Sequence, residues 1–67
     1  MYKIKRPGII KFLFGDNISI SEKLGLNNAS LSRILNGKQT TKYLTAYCIV
    51  KLYDPNKEVL DYFKKID

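Results

Sequence analysis

The sequence predicts an all-α domain, a compact bundle of five short helices. Three observations predict it. Apolar residues recur at spacings of three and four: Ile20 with Leu24, then Leu31, Ile34 and Leu35, then Leu44, Cys48, Ile49 and Leu52, and finally Val59, Leu60, Phe63 and Ile66. Turn residues separate these groups at Gly15, Gly25, Asn36-Gly37 and Asp54-Pro55-Asn56. The chain has 67 residues and an apolar fraction of 45%, enough for one core and against disorder, with no room for a second domain or a large catalytic cleft.

Residues 1–6 form a basic lead-in whose YKIKR alternation fits either a short strand or a flexible arm. Pro7 suits the first position of a helix. Ile9, Ile10, Leu13 and Phe14 give that helix its apolar side, and Gly15 ends it. Asp16 is the expected N-cap of a second helix, with Ser19 and Glu22 as a competing, later start. Ile20 and Leu24 point inward, and Ser21 sits where a bulky side chain would push this helix off the next. Gly25 takes the left-handed conformation the turn requires. Asn27 has the chemistry to cap a third helix over 28–36. Its core residues are Leu31, Ile34 and Leu35, and Leu26 plugs the turn. After the polar loop KQTTK, Tyr43 to Tyr53 is apolar over most of its circumference and is expected to be buried on more than one side. Asp54-Pro55-Asn56 breaks it, and an amphipathic helix carrying Val59, Leu60, Phe63 and Ile66 closes the chain.

Charge narrows the function classes. The formal net charge is +6, and residues 1–53 carry nine Lys/Arg against only Asp16 and Glu22. Residues 54–67 are slightly acidic, so the positive excess lies in the part of the chain that contains the second and third helices and points to a polyanion partner. Cys48 is the one cysteine, which rules out an internal disulfide and suits a reducing cytoplasm. No stretch approaches the roughly 18 apolar residues of a membrane span, and the short apolar IIKFLF after the basic start is not a signal peptide. The chain has no histidine, no Cys/Asp/Glu group at ligand spacing and no phosphate loop, so an enzyme, a metal centre and a cofactor are not expected.

The stretch 17–36, NISISEKLGLNNASLSRILN, carries most of the information. Ser21, Gly25 and Leu31 have the spacing of a helix-turn-helix: a small residue four before the turn glycine and an apolar one six after it. The wording ISEKLGLNNASLSRILNGKQT makes residues 16–53 resemble the helix-turn-helix domain of phage Cro proteins and lambda-type repressors, the XRE-like family. The SRILNGK segment is closest to that family's usual pattern. Ser21 stands where the family most often has alanine, and the first helix is shorter and more apolar than usual.

The resemblance implies a lambda-repressor-like DNA-binding domain that lays its third helix, 28–36, in the major groove. Asn28, Ala29, Ser32 and Arg33 are then the base-reading residues, with asparagine suited to adenine, alanine to a thymine methyl and arginine to guanine. Asn17, Asn27, Ser30, Asn36, Lys38, Thr40 and Lys42 are the expected phosphate contacts, with Gln39 and Thr41 adding backbone hydrogen bonds. Lys3, Lys5 and Arg6 either follow the adjacent groove or stay solvated. The implied partner is a near-palindromic double-stranded operator, bound by a homodimer at least on the DNA, with Tyr53, Pro55, Val59 and Phe63 as the dimer surface. No small-molecule substrate is implied. A protein-binding module, such as an antirepressor or phage-encoded inhibitor on the same scaffold, is the competing expectation, on account of Tyr43, Tyr47, Tyr53, Tyr62 and Phe63.

Overall fold

The computed structural model describes residues 1–12 and 16–66, with Asp16 described by its backbone alone. The elements run β1 (Tyr2–Ile4), α1 (Asp16–Leu24), α2 (Asn28–Leu35), α3 (Tyr43–Tyr53), α4 (Val59–Tyr62) and β2 (Phe63–Lys65). Among the described residues there are thus four helices and a two-stranded antiparallel sheet, which corrects the expected all-α, five-helix bundle.

Both departures lie at the ends of the chain. The expected first helix is absent from residues 7–12, and its remaining positions, Leu13, Phe14 and the Gly15 cap, lie outside the described residues. Gly8 has φ +79°, a left-handed conformation that an α-helix does not accept, and Ile9 N–H donates to the Arg6 carbonyl at 3.2 Å. Proline followed by a positive-φ glycine at the centre of a turn is the pattern of type II. Ile10 is nevertheless buried and Ile9 packs on the core, so these side chains reach the interior from a loop.

The expected last helix is cut to one turn. The Asp61 carboxylate accepts from Glu58 N–H at 2.7 Å and fixes the start of α4; Phe63 then turns extended, φ −121° and ψ 155°. From there β2 pairs with β1 in the register Tyr2↔Lys65, Lys3↔Lys64 and Ile4↔Phe63. Lys5 N–H to the Tyr62 carbonyl (2.8 Å) and Ile66 N–H to the Met1 carbonyl (2.8 Å) extend the ladder at both ends. Tyr2 also exchanges hydrogen bonds with Thr41 at 2.7 and 2.8 Å, so β1 lies between β2 and the loop before α3. The basic lead-in is therefore a strand, and the alternative of a flexible arm is set aside.

One core holds these elements together. Ile4 and Phe63 bring the sheet to it, Ile20 brings α1, Leu31, Ile34 and Leu35 bring α2, Ala46, Ile49 and Val50 bring α3, and Val59 brings α4. Two glycine caps end the central helices alike. Gly25 (φ +69°) donates to the Glu22 carbonyl and Leu26 to that of Ser21, while Gly37 (φ +77°) donates to Ile34 and Lys38 to Arg33. Each is a Schellman arrangement, and each satisfies carbonyls that the helix leaves open. Ser21 is buried and donates to the Ile18 carbonyl at 2.9 Å, so its hydroxyl is satisfied within the helix. The inward side of α3 is Ala46, Ile49 and Val50, which leaves Tyr43, Leu44, Tyr47 and Leu52 exposed. Of the expected stripe, only Ile49 is fully buried. No helix among the described residues is long and apolar enough to cross a membrane.

Candidate nucleic-acid interface

With Leu31, Ile34 and Leu35 turned inward, the 3.6-residue period of α2 leaves Asn28, Ala29, Ser32, Arg33 and the C-cap Asn36 on one continuous outward side. All five are exposed. The four expected base readers therefore share a face with one expected phosphate contact. No acidic residue occurs in α2, and among the described residues Arg33 makes no ion pair.

Two hydrogen bonds order this face. The Asn27 Oδ1 accepts from Ser30 N–H at 2.7 Å, which makes Asn27 the N-cap and leaves its Nδ2 group pointing away from the helix start. Asn36 Nδ2 donates to Ser32 Oγ at 3.2 Å across one turn. The Ser32 hydroxyl keeps its own proton for an outside acceptor, and Asn36 keeps its Oδ1.

A cleft of about 230 Å³ borders the same face, floored by Ile10 and Leu35 and walled by Lys11, Asn17, Ser32 and Asn36. Asn17 Oδ1 is buried here and has no hydrogen-bond partner among the described residues. The structure thus brings Asn17, Ser32 and Asn36 together from two helices. It adds Lys11, which the sequence reading did not single out because the segment around it was expected to be helical.

Other expected contacts divide. Lys38 and Lys42 are exposed on either side of the loop after α2, and Ser30 and Thr40 are half-buried. Thr41 is buried and both its backbone groups are paired with Tyr2, so it has no backbone hydrogen bond to offer a ligand. Of the expected dimer surface, Val59 and Phe63 are core residues, at 2% and 0% exposure. They lose that role because Phe63 enters the sheet opposite Ile4 and the single turn of α4 points Val59 inward. Tyr53 and Pro55 remain exposed. Cys48 is a half-buried free thiol, and among the described residues no His/Cys/Asp/Glu group could hold a metal ion.

Comparison with protein-family models, with curated proteins and with solved structures gave no match to this chain.

Proposed function

We propose that the chain is a sequence-specific DNA-binding regulator, a Cro-like repressor of a phage or mobile element, that lays α2 in the major groove of an operator. The observation that carries this reading is the single outward face of α2, uninterrupted from Asn28 to Asn36 and built from small polar residues, one alanine and one arginine. A helix about 10–12 Å across suits a groove about 12 Å wide. Asn28 and Ala29 at the leading end, with Ser32 and Arg33 a turn further on, read base edges. Asn17, Asn27, Asn36, Lys38 and Lys42, with Lys11 beside the cleft, hold the sugar–phosphate backbone. The protein acts in the cytoplasm by occupying DNA that polymerase would otherwise use. Two copies engage half-sites about 10 base pairs apart, through a surface that includes Tyr53 and Pro55.

The test separates reading from holding. Arg33→Ala should weaken binding by about 1–3 kcal/mol and relax discrimination at one base position. Lys38→Ala should weaken all sequences alike and lower the salt slope by about one. Selection of bound sequences from a random duplex pool, run with the wild type and both variants, measures the two effects together. Equal losses on selected and arbitrary DNA for both variants would end the assignment.

A protein-binding module is the second reading, and the exposed Tyr43, Leu44, Tyr47 and Leu52 on α3 favour it. It gains if Asn28→Ala and Arg33→Ala leave every measured interaction unchanged.

A further inference from the structure

The two-stranded ribbon contains a pairing that stability alone opposes. Lys3 stands directly opposite Lys64 in the register of β1 and β2. Side chains so placed have Cβ atoms about 4.5–5.5 Å apart, and like charges there destabilise a sheet. The pleat sends Ile4 and Phe63 into the core, so Lys3 and Lys64 lie on the opposite, outer side, joined by Lys5 two residues on. No carboxylate pairs with any of the three among the described residues.

The ribbon also has a definite neighbour. A methyl group built on Gly37 would lie 3.6 Å from Ile4 Cγ2 and 3.9 Å from Lys3 Cε. Gly37 follows α2 and precedes the exposed Lys38. Lys3 thus lies against the turn that follows α2, with Lys64 opposite it, Lys5 two residues on and Lys38 next after Gly37, so four lysine positions form a basic rim at the C-terminal end of α2. Lys3 alone would be explained as a cation at the negative end of a helix. That account leaves Lys64, placed against it, without a reason.

We propose that this rim is a second nucleic-acid contact, holding the phosphodiester backbone of duplex DNA beside the groove that α2 enters. It rests on the DNA reading of α2 and extends it to residues at both ends of the chain. Cations spaced about 6.6 Å apart along a strand suit a linear polyanion better than a single small anion.

The experiment uses the full chain as wild type, Lys3→Ala/Lys64→Ala and Arg33→Ala. Each is titrated with an arbitrary duplex and with a selected one over a salt series, and each is melted. The double variant is expected to lose up to about sixty-fold in affinity at 0.1 M salt, with a log–log salt slope shallower by about two. Its preference for the selected duplex should be unchanged, and its melting temperature should equal or exceed that of the wild type, because a repulsive pair has gone. An unchanged salt slope, or a melting temperature that falls together with affinity, would overturn the proposal. If Arg33→Ala relaxes sequence preference while the double variant binds like wild type, the rim fails and the α2 reading stands. If the double variant weakens binding and Arg33→Ala changes nothing, the rim stands and the α2 reading fails.

Discussion

Asn27 holds two roles that three substitutions can pull apart. Its Oδ1 accepts from Ser30 N–H at 2.7 Å and caps α2, while its Nδ2 is free to meet a phosphate. Asn27→Ala removes both, and loss of a side-chain N-cap costs about 1 kcal/mol, within a range of about 0.5–2. In a domain of 60–100 residues each kcal/mol moves the melting temperature by roughly 4–8 °C, so a fall of about that size is expected. Asn27→Asp keeps an oxygen acceptor in the same place and adds negative charge at the positive end of α2, so its stability should match or exceed that of the wild type. The same carboxylate faces the proposed DNA backbone. One unit charge within about 4 Å of a phosphate costs about 1 kcal/mol in water, roughly a five-fold loss of affinity. Asn27→Ser should retain the cap and bind between these limits. Thermal melting followed by circular dichroism and duplex titration at fixed salt give both quantities. A melting temperature for Asn27→Asp as low as that of Asn27→Ala would refute the cap argument, and wild-type affinity for Asn27→Asp would refute the backbone contact.

Two further predictions concern the ends and the turn. Deleting residues 1–5 removes β1 and uncovers Phe63 and the Thr41 backbone, so the truncated chain should fail to show a cooperative melt; a free arm would instead leave stability intact and alter only DNA affinity. Gly25→Ala meets no atom within 4 Å but must hold φ +69°, so it should destabilise by about 1–2 kcal/mol in a denaturant titration, with the slope m unchanged.

The middle of this chain was legible because its signals are local. Asn27 announces a helix start, Gly25 and Gly37 announce helix ends, and Leu31, Ile34 and Leu35 mark the inward side; each acts within a turn of its own position. The ends were not legible. Pro7-Gly8 fits a helix start and a type II turn equally, and the outcome depends on Gly8 N–H reaching the Leu35 carbonyl, far along the chain. Val59, Phe63 and Ile66 keep helical spacing, yet Phe63 pairs with Ile4, a partner no local window contains. In α3 almost every side is apolar, so periodicity did not show that Ala46 and Val50 face inward while Leu44 faces out. Charge counted along the chain misled in a similar way. Lys64 belongs to the acidic segment by sequence and to the basic rim by fold.

The pairing of β1 with β2 also orders events in time. During synthesis the strand made first in this domain waits for the strand made last. Until Phe63–Lys65 is available, Ile4 has no cover, Tyr2 has a ladder partner on one side only, and Lys3 has no opposing lysine. Closing the ribbon pays the entropy of nearly the whole chain as a loop, so it comes late. Helices as short as α1 and α2 do not hold in water without a core to pack on, so both wait for it as well. The surface proposed to read DNA and the rim proposed to grip it are thus completed together.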